Sequence, residues 1–121
     1  MPRAVLEDTR LHPAIRDTVE HLHVEVVHNV QAASMSNAVL VVGMAGNPFC
    51  KRARKALDAA AVPHHYLEYG SYLSRWRERL ALKMWSGWPT FPMVFVKGSL
   101  IGGADDLAKL IATGELKRLL A

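Results

Sequence analysis

Apolar residues recur with two different periods along the chain, and these periods predict alternating helices and strands. In residues 13–32 the apolar side chains have helical spacing, and Pro13 suits the first turn of an amphipathic helix. The positions concerned are Ile15, Val19, Leu22, Val26 and Val30. Residues 38–43 form an apolar run with the length and β-branched content of a buried strand, and residues 48–61 again have the pattern of a helix.

The rest of the chain predicts a second strand and helix, a hairpin and two closing helices. In chain order these elements are strand 64–68, helix 72–84, strand 93–96, strand 100–101 and helices 104–112 and 115–120. The buried side of helix 72–84 is predicted to carry Leu73, Trp76, Leu80 and Met84. The helix-strand-helix-strand order favours a parallel strand pair, and the hairpin adds antiparallel strands. We therefore expect an α/β fold, a four-stranded mixed sheet flanked by helices, with an extra N-terminal helix.

Length and composition narrow the classes of protein to which the chain can belong. Its 121 residues suit one domain, 1–121, with a helical segment at 1–36 and a core at 37–121. No apolar run reaches the length of a membrane span, and no basic-then-apolar signal pattern begins the chain. The single cysteine fits a reducing compartment. We therefore expect a cytoplasmic protein that has no membrane partner.

Charge is divided unevenly between these two parts of the chain. Residues 1–36 hold three arginines and five acidic residues, a net −2, whereas residues 37–121 hold twelve basic and six acidic residues, a net +6. The basic residues are not interleaved with aromatic residues, and they accompany no nucleic-acid motif. We expect solvated helix faces, or a site for a small carboxylate ligand, rather than a nucleic-acid partner.

The single cysteine lies where the first strand gives way to a helix. Asn47 is a good N-cap and Pro48 suits the first helical position, which places Cys50 in the first turn. Unpaired backbone N–H groups and the helix dipole favour an anion there, so a thiol would ionise more readily than usual. Cys50 is therefore a candidate nucleophile. The alternative is a small apolar residue that packs in a helical turn.

Two further segments are candidates for binding a peptide-like ligand. Thr90, Phe91 and Pro92 lie between a helix and a strand, and a cis Pro92 would turn the backbone groups of Phe91 outward. The alternative is a rigid turn before an edge strand. Gly103 and the residue after it, Ala104, begin a helix whose free N–H groups can hold a carboxylate.

The acidic residue of that second segment has two possible roles. Asp105 could receive an ammonium group, or it could simply cap the helix. On the N-terminal helix, His21, Glu25 and His28 share one predicted face, but three ligands from one helix make a weak metal site. We therefore predict no metal centre.

Taken together, these motifs resemble the glutaredoxin family, most closely its monothiol branch. The similarity rests on Trp-Pro-Thr-Phe-Pro at 88–92 and Gly-Gly-Ala-Asp-Asp at 102–106, and it extends over residues 12–121. The resemblance implies a thioredoxin fold and a glutathione-binding groove. Phe91 would pair with the backbone of the cysteine of glutathione, Ala104 and Asp105 would hold its γ-glutamyl end, and Arg79 or Lys83 would face its glycine carboxylate.

The departures from the family pattern concern the reactive positions. Glutaredoxins carry Cys-Pro-Tyr-Cys or Cys-Gly-Phe-Ser where this chain has Asn-Pro-Phe-Cys at 47–50, so Asn47 occupies the position of the family nucleophile. The lysine that usually precedes the motif is replaced by Met44, and the glutamine common after the proline is replaced by Met93. Because the thiolate that would ligate a bridging [2Fe–2S] cluster is missing, we expect no iron–sulfur cluster.

Two functions from different classes are consistent with this pattern. In the first, Cys50 performs weak or atypical glutathione-dependent thiol–disulfide exchange with protein thiols or mixed disulfides. In the second, the groove binds glutathione without turnover, and the domain is a redox-inactive binding or regulatory module. The accessibility of the Cys50 sulfur separates these two hypotheses.

Overall fold

A computed structural model describes residues 3–121, and within it six helices surround one four-stranded sheet. A short 3-10 turn, Asp8–Arg10, precedes the first helix. The helices are α1 (Pro13–Glu20), α2 (Val24–Ser36), α3 (Pro48–Ala59), α4 (Trp76–Ser86), α5 (Ala104–Ala112) and α6 (Glu115–Leu120). The strands are β1 (Val39–Gly43), β2 (His65–Glu68), β3 (Met93–Val96) and β4 (Ser99–Gly102).

The sheet has the mixed topology that the sequence predicts. Its strand order is β2-β1-β3-β4, with β1 and β2 parallel and the other two pairs antiparallel. Because side chains alternate across a strand, β1 supplies both faces: Leu40 and Val42 join one core cluster, and Val39 and Val41 join the other. The first cluster packs under α2 and α4, and the second under α3, α5 and α6. The central strands are therefore buried on both sides.

The N-terminal helix differs from its prediction because it is broken in two. Residues 21–23 separate α1 from α2, and His23 has a left-handed backbone with φ of 43°. The His21 ring lies 3.0 Å from the carbonyl oxygen of Asp17, where it competes for the last turn of α1. As a result Val26 and Val30 of α2 are buried in the core, whereas no residue of α1 is buried within the described chain.

The prediction for α4 was wrong in its start and in its buried face. Hydrogen bonds between Ser71 and Ser74 hold a turn before the helix, which begins at Trp76. The buried residues of α4 are Arg79, Ala81 and Leu82, and the apolar residues expected to face the core are exposed instead. These exposed residues are Leu73, Trp76, Leu80 and Met84. The spacing of apolar residues predicts a stripe along a helix, but it does not show whether that stripe faces the hydrophobic core or the solvent.

Candidate functional site

The start of α3 is held by the side chain of Asn47. Its Oδ1 accepts hydrogen bonds from the backbone N–H groups of Phe49 at 2.8 Å and Cys50 at 3.1 Å, and Pro48 occupies the first turn. The predicted N-cap is confirmed, and it pairs two N–H groups that the helix itself leaves free. Asn47 is only 8% exposed. The side chain at the family's nucleophile position is therefore used to stabilise the helix.

Cys50 packs into the core beside the sheet. It is 2% exposed and belongs to the cluster of apolar residues between the sheet and α2 and α4. A Cβ at Gly43 would lie 2.9 Å from the Cys50 sulfur and 3.0 Å from the Tyr66 ring, so the glycine in β1 leaves the room that the thiol occupies. The sulfur therefore faces the interior and not a ligand.

The electrostatic setting of Cys50 also differs from the prediction. Burial raises the pKa of the Cys50 thiol above its ordinary value, and Glu68 adds to that effect. The Met44 backbone and Arg54 oppose the rise without cancelling it. This direction is opposite to the one expected for a thiol at a helix start, because desolvation of the charged sulfur outweighs the hydrogen bonds from the Met44 and Cys50 backbones.

A groove lies between the start of α3 and the start of α5. It encloses about 220 Å³ and is lined by residues from three segments: Phe49, Trp88, Thr90, Phe91, Pro92, Gly103, Ala104, Asp105 and Asp106. The Phe91–Pro92 peptide bond is cis, which is one of the two alternatives that the sequence left open. Six of the predicted ligand-binding residues thus line one groove, from Thr90 to Pro92 and from Gly103 to Asp105.

The acidic end of the groove is formed by two neighbouring aspartates with different roles. Asp106, not Asp105, caps α5: its Oδ2 accepts a hydrogen bond from the Gly103 N–H at 3.0 Å. Asp105 is therefore free of the capping role and forms an ion pair with Arg52 of α3. The guanidinium carbon of Arg52 also lies 5.1 Å from the centroid of the Phe49 ring. The two walls of the groove therefore meet at Arg52 and Asp105.

The two basic residues predicted to face a carboxylate occupy different surroundings. Lys83 is half-buried on α4, and its Nζ lies 5.8 Å from the centroid of the Phe91 ring, close to the groove. Arg79 is 7% exposed and donates to the carbonyl oxygens of Tyr69 at 2.9 Å and Ser74 at 2.6 Å. The structure thus places Arg79 in the framework of the loop before α4 and outside the groove lining.

That loop supports the turn that leads to α3. The Ala45 N–H donates to the Gly70 carbonyl oxygen at 2.7 Å, and the Tyr69 N–H donates to Gly43 at 2.9 Å. Arg79 therefore positions the start of α3 indirectly, through the loop at 69–74. Met44, which the resemblance places where the family has a lysine, is 7% exposed and packs in the core.

Sequence reasoning missed three of the groove residues, namely Phe49, Trp88 and Asp106. Trp88 lies beside the start of α5: its Nε1 would be 3.6 Å from a Cβ at Gly103, an ordinary packing distance. The resemblance quotes Trp88 and Asp106 within its motifs, which was a usable signal. Phe49 is 51% exposed beside Arg52, and an exposed aromatic residue in a motif was a signal as well.

The three candidate metal ligands of the N-terminal segment are not brought together. The break after α1 leaves His21 in the connection between the helices and puts Glu25 and His28 on α2. The His21 Nδ1 lies 3.0 Å from the Asp17 carboxylate, on an exposed surface. Within residues 3–121, none of the helices is long and apolar enough to cross a membrane.

Comparison with known proteins shows the same similarity in sequence and in structure. The glutaredoxin family model matches residues 39–101. A glutaredoxin-like protein of Dictyostelium discoideum is 45% identical over 102 residues, which cover 84% of this chain and 83% of that protein. A probable monothiol glutaredoxin of Legionella pneumophila is 39% identical over 72 residues, 60% of this chain and 78% of that protein.

A solved structure extends the similarity to the arrangement of the helices and strands. The crystal structure of a buckwheat glutaredoxin–glutathione complex is 26% identical, with a TM-score of 0.73, and covers 84% of this chain and 92% of that chain. The four-stranded mixed sheet with its flanking helices is therefore a thioredoxin fold, as the resemblance implied.

Proposed function

Because the chain belongs to the glutaredoxin family, we propose that it binds glutathione in the groove between α3 and α5 without performing the family's usual thiol exchange. One observation carries this proposal: the only thiol of the chain is buried at the start of α3, while the family's nucleophile position is held by a capping asparagine. In this proposal the chain keeps the family's binding groove without the family's thiol chemistry.

Binding is supported by the groove residues that lie opposite α3. An extended peptide-like ligand would pair with the backbone of Phe91 next to the cis Pro92, and the first turn of α5 offers N–H groups from Ala104 and Asp105 to a carboxylate. The Asp105 carboxylate would attract the ammonium of the γ-glutamyl end, and Lys83 would attract the glycine carboxylate. The buckwheat protein, whose fold matches, was solved with glutathione.

Turnover is disfavoured by the position of Cys50. Thiol–disulfide exchange requires a thiolate that approaches the disulfide sulfur, with the other sulfur leaving. A sulfur that is 2% exposed and whose pKa is raised by burial meets neither requirement. The alternative function, weak one-cysteine exchange through Cys50, requires the start of α3 to open and expose that sulfur.

A bridging [2Fe–2S] cluster does not fit the residues at this site. Such a cluster is held by thiolates, and the groove lining contains no cysteine. The Asn47 Oδ1 that would stand in for the missing ligand is already bonded to two backbone N–H groups.

Two measurements on the same protein test binding and turnover separately. Titration with reduced glutathione to millimolar concentration should shift the backbone amide signals of Phe91 and Ala104, and an Asp105→Asn variant should bind more weakly. A glutathione-dependent disulfide reductase assay should give equally low rates for the wild type and for Cys50→Ser. Absence of amide shifts would contradict the binding function. A clear rate that is lost in Cys50→Ser would instead establish the one-cysteine enzyme.

A further inference from the structure

An ion pair at the rim of the groove joins the two helices whose first turns form its walls. Arg52, near the start of α3, binds the carboxylate of Asp105, in the first turn of α5. The Arg52 side chain is 52% exposed and the Asp105 side chain is 80% exposed. Exposed pairs of this kind contribute little to stability, so a ligand can open this pair at low cost.

The fold does not need this pair to hold the two helices together, because buried apolar residues of α3 and α5 already belong to one core cluster. These residues are Ala53, Leu57, Ala104 and Leu107. The guanidinium carbon of Arg52 lies 5.1 Å from the centroid of the Phe49 ring, and Phe49 lines the groove. A guanidinium is attracted to the face of an aromatic ring, so Phe49 keeps Arg52 at the rim when the ion pair opens.

The two groups of the pair match the chemistry of a γ-glutamyl end. In such an end an ammonium and a carboxylate are bonded to the same carbon atom, so the protein groups that bind them must lie side by side. Asp105 is a partner for the ammonium, and the planar guanidinium of Arg52 is a partner for the carboxylate. Because Arg52 and Asp105 are in contact, opening their pair presents two adjacent charges of opposite sign to the ligand.

The charges beside the groove also agree in number with those of glutathione. Reduced glutathione carries two carboxylates and one ammonium near neutral pH. Asp106 is engaged in capping α5, which leaves the Asp105 carboxylate for the ammonium. Lys83 lies beside a different groove residue, Phe91, and is a partner for the glycine carboxylate. Arg52 is then the cation for the remaining carboxylate, that of the γ-glutamyl end.

We propose that Arg52 is a specificity-determining residue of the groove, which exchanges Asp105 for the α-carboxylate of a γ-glutamyl ligand. This inference rests on the proposed binding of glutathione and adds the class of ligand: peptides whose free γ-glutamyl end bears both charges. A ligand without the α-carboxylate still draws Asp105 away from Arg52, but it offers Arg52 no new partner. Such a ligand should therefore bind more weakly.

Amide titrations with two ligands that differ in one group test this role of Arg52. The first ligand is reduced glutathione, and the second is 4-aminobutyryl-cysteinyl-glycine, which keeps the ammonium and lacks the α-carboxylate. Arg52→Gln should raise the dissociation constant for glutathione about threefold or more. It should not raise the dissociation constant for the second ligand, because the carboxylate that Arg52 binds is missing there. The backbone amide signals of Phe91 and Ala104 report both constants.

Lys55→Gln is the matched control for Arg52→Gln. It removes the same charge from an exposed position about one turn further along α3, and Lys55 does not line the groove. It should leave both dissociation constants unchanged. Arg52→Lys keeps the charge without the planar fork and should bind glutathione with intermediate affinity. Urea denaturation should give both glutamine variants nearly the stability of the wild type, because both positions are exposed.

Three results would overturn the proposal. One is an equal rise of both dissociation constants in Arg52→Gln, and another is glutathione binding that stays unchanged or becomes tighter in that variant. In the latter case Arg52 only competes with the ligand's ammonium for Asp105. The third is a marked loss of stability in Arg52→Gln alone, which would identify a structural tie between α3 and α5. In these cases the wild type still binds glutathione, whereas absence of amide shifts in the wild type would contradict the binding function as well.

Discussion

The two walls of the groove differ in how closely each follows the arrangement that the glutaredoxin resemblance predicts. The wall formed by residues 90–92 and 103–106 contributes mostly backbone groups, a cis proline and a helix start, and it keeps the arrangement expected for a peptide-like ligand. The wall formed by the start of α3 contributes individual side chains. There Asn47 caps the helix and Cys50 is buried, so no exposed thiol stands where the resemblance predicts the family's nucleophile. If the proposed function holds, binding depends on the backbone of one wall, and the absent reaction depends on a single thiol of the other.

The largest effect on this comparison should come from the residue that supports the α3 wall from behind. Arg79→Met leaves the carbonyl oxygens of Tyr69 and Ser74 without their donor, and it should lower the free energy of unfolding by about 2–4 kcal/mol. Urea denaturation measures this loss.

The matched control for that change is Lys83→Met, which should stay within about 0.5 kcal/mol of the wild type, because Lys83 makes no comparable buried bonds. Glutathione affinity should behave in the opposite way and fall more for Lys83→Met. Equal stability of the two variants would contradict the framework role of Arg79.

A thiol placed at position 47, in the wall formed by the start of α3, would supply the group that this wall lacks. Asn47→Cys should raise the glutathione-dependent reductase rate about tenfold or more, because a thiolate at position 47 would accept the N–H groups of Phe49 and Cys50 that Asn47 now accepts, which lowers its pKa. Asn47→Ser, which keeps a capping oxygen, is the control and should show no gain. If Asn47→Cys stays inactive while still binding glutathione, the missing thiol is not the only reason that the start of α3 does not support exchange.

The capping role of Asn47 predicts a smaller effect on stability. Asn47→Ala removes the acceptor for the Phe49 and Cys50 N–H groups and should lower the free energy of unfolding by about 1 kcal/mol. Asn47→Asp keeps the acceptor at the positive end of the helix and should retain most of the stability. Thermal or urea unfolding of the two variants checks this difference, which disappears if the cap contributes nothing.

The smallest effect concerns pH and the buried thiol. Since burial raises the pKa of Cys50 in the folded chain, its contribution to stability is complete below the pKa of the unfolded thiol, about 8.5, and is lost as pH rises through the folded value. Cys50→Ala should make the decline of stability above that pH shallower. Alkylation of Cys50 by iodoacetamide at pH 7 should be slow, and rapid labelling of the folded protein would contradict its burial.

Features that depend on local chemistry could be predicted from the sequence. The apolar run at 38–43 and the cap at Asn47 follow from local propensities, and both are found in the structure. Pro92 allows a cis bond at low cost but does not require one, so the sequence left that conformation open. Together with the segment that begins at Gly103, they locate the groove. In these regions the neighbours along the chain decide the conformation.

Features that depend on distant contacts could not be predicted. Burial of Cys50 follows from packing against β1 and β2, and no local pattern announces it. The sequence around Arg79 is typical of a solvated helix face. Its burial depends on the loop before α4, where it donates to the Ser74 carbonyl oxygen. The apolar residues of α4 have the correct period for a core face, but the side of the helix that carries Arg79, Ala81 and Leu82 is buried instead.

The separation of α1 from the core has a consequence for sequence variation. Because α1 buries no residue within the described chain, mutations in it should have little effect on the folding of the sheet and the other helices. The sequence of α1 can therefore vary among relatives with little effect on the stability of the fold.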